Sequence, residues 1–249
     1  MSRNLNDAVT DPAKLVRLEL KNAGFDIDRM NVPKRVFLLA DSLYDAMLLR
    51  DCGKYKYPLG GKLFVFNNNE ETGYIKSHMC SPAIATQAED LIAGGVKELI
   101  HIGFAGGLQP DLNEGDIVLT DGAYNDTAVA GLYGFDEDII RSSTELTDQL
   151  SKLLTNTAIK FKRGIHWTTD AGYRETWGQI SEYRQKGALC VEMEGAGLFT
   201  IANYRKCTAS AVYIISDVFD DDWTLGWEEK ILDASINKII DMIICTTTE

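Results

Sequence analysis

The segment Val191-Glu192-Met193-Glu194-Gly195-Ala196-Gly197 joins an apolar strand to a helix that begins with small residues. Two carboxylates therefore flank a methionine at the end of a strand. Carboxylates here also suit the N-terminus of a helix, where the helix dipole favours negative charge. Because side chains alternate along a strand, we expect Glu192 and Glu194 to face one side and Met193 the other. A carboxylate pair that faces a cleft is suited to binding vicinal hydroxyls, such as those of ribose.

Strands and helices alternate along the chain on both sides of this segment. Alternation of this kind predicts an α/β protein with a mostly parallel or mixed sheet covered by helices, in which ligands bind beyond the carboxyl ends of the strands. We expect one domain over residues 1–249, with a helix and a loop over residues 1–30. Strands are predicted over Val36 to Ala40, Lys62 to Asn67, Tyr74 to His78, Leu99 to Gly103, Asp116 to Thr120, Lys160 to His166, Ala188 to Met193 and Ala209 to Ser216. Helices are predicted over Ala13 to Asn22, Ser42 to Arg50, Pro82 to Ala93, Thr144 to Thr155, Glu175 to Lys186, Glu194 to Tyr204 and Trp227 to Ile244.

Two further strand ends carry residues that suit a binding site. The stretch His101-Ile102-Gly103-Phe104-Ala105-Gly106-Gly107-Leu108 is typical of a buried strand followed by a Gly-rich turn. Such a turn lets bare backbone approach a ligand, or simply connects two packed elements. The stretch Ile214-Ile215-Ser216-Asp217-Val218-Phe219 puts an aspartate after apolar residues, where burial favours a protonated carboxyl that acts as a proton donor. The alternative is that Asp217 caps a helix and that Asp220-Asp221-Asp222 is a solvated loop, although an acidic run also suits a divalent cation.

The composition excludes several classes of function. The 25 basic and 37 acidic residues give a net charge of −12, which repels nucleic acids and anionic membranes. No apolar run is long enough to span a bilayer. The five cysteines are scattered, and only three histidines are present. We therefore expect free thiols in a reducing cytoplasm and no metal site.

The three strand ends, in this order and spacing, resemble those of the nucleoside phosphorylase family, which includes purine nucleoside phosphorylases, uridine phosphorylases and related nucleosidases. The stretch Trp167-Thr168-Thr169-Asp170-Ala171-Gly172-Tyr173-Arg174-Glu175-Thr176 is similar to one in a uridine-phosphorylase-like branch. The resemblance spans Val36 to the C-terminus. It implies a three-layer α/β/α fold with a central mixed, partly barrel-like sheet. It also implies a nucleoside substrate, no cofactor, a cytoplasmic location and a homodimer or homohexamer.

The resemblance assigns roles to particular residues. Met193 would pack beneath the ribose, Glu194 would bind its 2′- and 3′-hydroxyls, and Glu192 would line the same pocket. Asp217 matches the residue that protonates or hydrogen-bonds N7 of the leaving base in purine-cleaving members, which favours a purine nucleoside. The remaining residues expected around the substrate are Gly103, Phe104, Ala105, Thr169 and Tyr173.

The chain departs from the family where the phosphorylases bind phosphate. Their Gly-Asp-Pro-x-Arg loop corresponds here to Ala40-Asp41-Ser42-Leu43-Tyr44. His101 and Phe104 occupy positions where the family has an arginine and a hydroxyl residue. A charge-assisted arginine–phosphate hydrogen bond contributes roughly 1.5–3 kcal/mol, so these changes weaken phosphate binding. His101 and Tyr44 are therefore expected to line a pocket for either phosphate or water.

Three functions are consistent with these residues. The first is hydrolysis of a purine-type nucleoside, with Asp41, backed by Asp45, holding the attacking water. The second is phosphorolysis, with a protonated His101 and lysines as replacement phosphate ligands and with Lys54 or Arg50 as partial substitutes. The third is a nucleoside-binding protein without catalysis, although binding alone does not require an acid at N7. In both enzymatic readings the C1′–N bond breaks through an oxocarbenium-like sugar, and an acid on the base contributes about 10²–10⁴-fold.

Overall fold

Eight α-helices and eleven strands make up the part of the chain that the computed structural model describes, residues 8–220, 223–224 and 229–247. The strands are β1 (Arg35–Leu39), β2 (Gly53–Tyr57), β3 (Leu63–Phe66), β4 (Thr72–Lys76), β5 (Glu98–Gly107), β6 (Ile117–Asp126), β7 (Ile139–Arg141), β8 (Lys162–Thr169), β9 (Cys190–Glu192), β10 (Thr208–Phe219) and β11 (Trp223–Thr224). The α-helices are α1 (Pro12–Asn22), α2 (Asp41–Leu49), α3 (Ser81–Gly94), α4 (Ala128–Leu132), α5 (Thr144–Asn156), α6 (Trp177–Gln185), α7 (Gly195–Arg205) and α8 (Glu229–Cys245). Two 3₁₀ turns lie at Ile27–Arg29 and Gly172–Arg174.

All of these strands belong to one mixed sheet, in the order β11-β10-β6-β8-β9-β5-β1-β4-β3-β2, with β7 against β6. An additional pairing of β10 with β5 closes β5, β10, β6, β8 and β9 into a ring. Helices α1, α3 and α7 bury apolar residues on one side of the sheet, and α2, α5 and α8 do so on the other. The predicted α/β fold with a mixed, partly barrel-like central sheet is confirmed.

The Gly-rich stretch of β5 differs from its prediction. It is not a turn, because β5 continues as a strand to Gly107 and pairs with β10 along this length. A Cβ added to Gly106 would lie 2.6 Å from the Phe219 ring and 3.1 Å from Asp217 Oδ2. Only a glycine lets the two strands approach this closely, so the glycines reflect sheet packing around Asp217.

Strand β10 is longer than predicted and carries a bulge. It reaches Phe219, so Asp217 lies inside the strand rather than beyond it. The pairing with β5 shifts register between Ile215 and Asp217, which leaves Ser216 as the extra residue. Bulges bend a strand and change the direction of the side chains beside them. The bulge therefore decides where the Asp217 carboxyl points.

Helix α6 begins two residues later than predicted. A capping box with Thr176 as N-cap fixes the start of the helix. Thr176 Oγ1 accepts from the Gln179 backbone N–H at 3.3 Å, and Gln179 Oε1 accepts from the Thr176 backbone N–H at 3.2 Å. This reciprocal bonding satisfies two otherwise unpaired donors at the helix start. Glu175 consequently lies before the helix, between it and the 3₁₀ turn Gly172–Arg174.

Among the helices that the structure describes, a search for membrane-spanning segments finds no candidate.

Candidate active site

Three adjoining cavities lie beside the carboxyl ends of β1, β4 and β9, the middle of β5 and the last residues of β10. The central cavity has a volume of about 320 Å³ and is lined by Ala40, Asp41, His101, Phe104, Met193 and Glu194, among others. The aromatic cavity, about 660 Å³, is lined by Tyr173, Glu175, Trp177, Met193, Asp217 and Phe219, among others. The outer cavity, about 600 Å³, is lined by Asp41, Tyr44, Lys62, Lys76, His78 and Met79, among others. The central and outer cavities lie beyond the ends of β1 and β4, whereas the aromatic cavity is lined by Asp217 and Phe219 from within β10.

Glu192 is a buried carboxylate whose oxygens are both occupied by protein donors. Its Oε2 accepts from the backbone N–H groups of Glu194 and Gly195, each at 2.8 Å. Its Oε1 accepts from Thr168 Oγ1 at 2.5 Å and lies 3.0 Å from His166 Nε2. Burial opposes ionisation of Glu192, but the charge and hydrogen bond of His166 and the bond from Thr168 together hold its pKa far below the usual range. Glu192 thus lines the central cavity as an anion that fixes the start of α7.

Glu194 is the carboxyl at the N-terminus of α7, and it also lines the central cavity. Its Oε1 accepts from the backbone N–H of Cys80 at 2.7 Å, which ties it to the start of α3. Burial raises the pKa of Glu194 to about 8, and the charge of Glu192 adds to this effect. Glu194 is therefore a carboxyl that exchanges a proton near neutral pH and faces open volume.

The expected alternation of this segment is wrong. Strand β9 ends at Glu192, so the period of two does not continue to Met193 and Glu194. Met193 and Glu194 both line the central cavity as a result. Ser81 Oγ donates to the Met193 carbonyl at 2.9 Å and holds this short connection in place.

Asp217 lies in the aromatic cavity rather than the central one. Ser216 Oγ donates to Asp217 Oδ1 at 2.7 Å, so the bulge residue itself orients the carboxyl. Glu194 and Asp217 do not share a single cavity, contrary to the expectation of one pocket. The two cavities nevertheless share Met79 and Met193 as walls. A ligand that contacts both carboxyls must therefore pass over these methionines.

The end of the central cavity expected to hold phosphate or water carries little positive charge. Burial lowers the pKa of His101 to about 4, so its imidazole is neutral at pH 7. A neutral imidazole is a weaker phosphate ligand than the protonated His101 expected from the sequence. Asp41 Oδ1 pairs with Lys76 Nζ at 2.9 Å, and Tyr44 lines the outer cavity, where its ring packs against Phe64 and Tyr74. Along the central cavity the described residues contribute no lysine or arginine.

Several residues expected near the substrate lie elsewhere. Ala105 is buried, and the Thr169 hydroxyl accepts from the Ala171 backbone N–H at 3.3 Å, so neither lines the cavities described above. Arg50 pairs with Asp241 at 3.0 Å, and Lys54 is exposed on edge strand β2. Asp45 is exposed on α2, as is Asp220 after β10, whereas residues 221–222 lie outside the described part of the chain.

The amino-acid sequence matches a known protein superfamily over most of its length. The profile of the phosphorylase superfamily matches residues 34–243. The chain belongs to this superfamily. Among curated relatives, a DeoD-type purine nucleoside phosphorylase of Exiguobacterium sibiricum is 27% identical over 187 residues, covering 74% of this chain and 78% of the relative. Another, from Caldanaerobacter subterraneus subsp. tengcongensis, is 33% identical over 159 residues, covering 59% and 67%.

Solved structures of the superfamily share the fold at lower identity. A purine nucleoside phosphorylase from Toxoplasma gondii, in complex with immucillin-H, superposes with a TM-score of 0.74 at 15% identity, covering 90% of this chain and 93% of that one. A P. knowlesi homologue of P. falciparum PNP superposes with a TM-score of 0.71 at 20% identity, covering 87% and 90%. These likenesses establish a common architecture.

Sequence reasoning missed several cavity residues, among them His78, Met79, Glu175 and Trp177. His78 and Met79 follow β4 directly, so the strand-end rule that singled out Glu194 also applies to them. Glu175 and Trp177 had no such signal, because both were assigned to a helix. Their position depends on where the capping box at Thr176 starts α6.

Proposed function

We propose that this protein hydrolyses the N-glycosidic bond of a purine nucleoside. The sugar would occupy the central cavity, where Met193 packs beneath it and the Glu194 carboxyl hydrogen-bonds its 2′- and 3′-hydroxyls. The base would occupy the aromatic cavity against Tyr173 and Phe219. The glycosidic bond would then lie next to Met193, because this residue lines both cavities.

Water is proposed as the acceptor of the sugar because no lysine or arginine of the described residues lines the central cavity. Phosphate binding requires cationic groups or several aligned donors, because desolvating an anion is costly. His101 is neutral, Phe104 offers an apolar side chain, and Lys76 is already paired with Asp41. A neutral water molecule needs only an acceptor, and the Asp41 carboxylate supplies one at the cavity wall.

The proposed mechanism uses carboxyls at both ends of the breaking bond. As the C1′–N9 bond breaks, its electron pair goes to the base, and Asp217 donates a proton to N7. Ionised Glu192 places negative charge near the oxocarbenium-like sugar, whereas Glu194, whose pKa is raised to about 8, adds negative charge only once it loses its proton. The oxygen of the attacking water bonds to C1′ while its proton passes to Asp41. The products are ribose and the free purine.

Phosphorolysis is a second candidate, which the names of the curated relatives favour. Lys62 and Lys76 both line the outer cavity, next to Asp41. A phosphate that displaced Asp41 from Lys76 would gain one cationic ligand there. The product would then be ribose 1-phosphate.

Isotope and product analysis distinguishes the two reactions. The purified chain is incubated with adenosine in H₂¹⁸O, with and without phosphate, and the sugar product is measured by mass spectrometry. Hydrolysis gives ¹⁸O-labelled ribose at the same rate in both buffers. Formation of ribose 1-phosphate only when phosphate is present would refute the proposal and establish phosphorolysis.

Matched variants separate catalysis from binding in the same assay. Asp217→Asn should bind nucleoside but lose turnover, whereas Glu182→Gln changes an exposed carboxylate on α6 that pairs with Lys186 and should react like the wild type. Nucleoside binding without turnover by the wild type would indicate a binding protein instead.

A further inference from the structure

Glu175 and Asp217 bring two carboxyls into the aromatic cavity. Glu175 comes from the connection between the 3₁₀ turn and α6, and Asp217 comes from the bulge of β10. The point where a Cβ on Gly172 would lie is 3.6 Å from Glu175 Oε1 and 3.4 Å from Met193 Sδ. Glu175 and Met193 therefore both lie next to Gly172 at the wall of the aromatic cavity.

The surroundings of this pair contain little charge that could neutralise it. The other titratable groups lining the aromatic cavity are Cys80, from the start of α3, and Tyr173, from the 3₁₀ turn. Arg184 of α6 donates to the Leu108 and Phe219 carbonyls, and so is bound to backbone. Within the described part of the chain, no lysine, arginine or histidine lines this cavity.

Burial raises the pKa of Glu175 to about 7, and the charge of Asp217 raises it further in the same direction. Two neighbouring carboxyls that cannot both ionise titrate as a pair, and the proton belongs to both. Near pH 7 and just below it, Glu175 therefore keeps its proton beside the charge of Asp217. Together the two carboxyls present a hydrogen-bond donor and an acceptor to the cavity.

We propose that Glu175 and Asp217 share one proton and thereby select a 6-aminopurine over a 6-oxopurine as the base. This inference rests on the proposed cleavage of a purine nucleoside. The Hoogsteen edge of adenine offers N7 as an acceptor and the 6-amino group as a donor, which matches a pair with one proton. A 6-oxopurine offers two acceptors, N7 and O6, so one carboxylate would face an acceptor with no proton between them.

The consequence for catalysis follows from the same proton. On binding of an adenine-type base, the proton lies on Asp217, facing N7, while the Glu175 carboxylate accepts from the 6-amino group. Above about pH 7 the pair loses the proton, so the general acid is lost. The kcat/KM for adenosine should then fall about tenfold for each further pH unit.

The experiment compares adenosine with inosine in the wild type, in Glu175→Gln and in the control Glu182→Gln. At pH 6.5 we expect kcat/KM to favour adenosine by roughly tenfold to a hundredfold in the wild type and control, as one mismatched base contact implies. In Glu175→Gln the ratio should fall to about threefold or less, because an amide is both donor and acceptor. The alkaline limb of its pH profile should also move to lower pH, because the neighbouring charge is gone. If Glu175→Gln kept the wild-type ratio of kcat/KM for adenosine to that for inosine and the same alkaline limb of the pH profile, the inference would be refuted. The proposed cleavage of nucleosides would not be affected by that result.

Two measurements keep the inference testable if that variant does not fold or if neither nucleoside is cleaved. Calorimetric titration of the wild type with free adenine and hypoxanthine at pH 6.5 measures base selection without turnover. Tighter binding of adenine by roughly tenfold supports the pair even if the hydrolysis proposal fails. Equal affinities, or tighter hypoxanthine binding, would overturn it.

Discussion

Substitution of Glu192 by glutamine tests whether this buried carboxylate organises the site. The side chain accepts from four donor groups: the backbone N–H groups of Glu194 and Gly195, the Thr168 hydroxyl and His166 Nε2. Glutamine has the same shape, but one of its two terminal atoms is an NH₂ group that only donates. Whichever way the amide turns, at least one donor at 2.5–3.0 Å meets another donor.

The expected loss is large because the contacts are buried. Breaking a buried charge pair by removing one partner costs about 3–5 kcal/mol. For a chain of this size, that corresponds to a fall in Tm of roughly 6–20 °C. Because the Glu194 backbone N–H is one of the donors, the carboxyl proposed to bind ribose should also move, so kcat/KM should fall even below the unfolding transition.

Urea unfolding followed by circular dichroism measures the change in the free energy of unfolding at pH 7. Glu182→Gln is the control, and its surface ion pair with Lys186 should contribute less than about 1 kcal/mol. Because the pKa of Glu192 is lowered in the folded state, ionised Glu192 stabilises the fold at pH values above the pKa of an ordinary glutamate. This stabilisation is lost as pH falls through the folded-state pKa. The difference between wild type and Glu192→Gln should therefore shrink in acid. A loss below about 1 kcal/mol at pH 7 would refute the anchoring role.

Three other substitutions test the remaining parts of the site. Asp217→Asn should lower kcat by about 10²–10⁴-fold with little change in nucleoside affinity, measured by single-turnover kinetics and calorimetry; a normal kcat would remove Asp217 as the acid. Glu194→Gln should make the free energy of unfolding less dependent on pH. The raised pKa of Glu194 stabilises the fold at low pH, and this stabilisation is lost as pH rises from about 4.5 through about 8. Urea unfolding at pH 5 and pH 9 measures the change, and an equal difference between the two pH values in wild type and variant would contradict the raised pKa of Glu194. Gly106→Ala should raise KM for the nucleoside, because its Cβ would lie 2.6 Å from the Phe219 ring and displace the wall of the aromatic cavity; an unaltered KM with normal stability would show that this wall does not contact the base.

The strand-end rule explains why part of the site is predictable. Met193, Glu194 and Asp217 each follow or end an apolar run that is recognisable without any partner strand. The rule brings the ends of neighbouring parallel strands together. Strand β9 runs antiparallel to β5 and therefore opposite to β10, so the rule does not explain why Glu194 lies near Asp217. It does not assign them to cavities, and Glu194 and Asp217 lie in two adjoining ones.

Local signals also fixed the element types but not the lengths of the central strands. Helix α1 carries its own start signals, Asp11 as N-cap and Pro12 in its first turn, so its bounds were nearly right. The glycines of β5 suggested a turn, since glycine weakens an isolated strand. Their strand conformation depends on β10 and β9, which lie about 80 or more residues away in the chain.

The amino-acid sequence by itself determined the alternating α/β architecture and the residue types at the strand ends, because hydrophobic periodicity and caps act over a few neighbouring residues. Only the tertiary structure decided that both oxygens of Glu192 are bound by protein donors, that burial lowers the pKa of His101 and that Glu175 and Asp217 line one cavity. Charge state and side-chain direction depend on desolvation and on donors from distant segments. Those quantities exist only once the chain has folded.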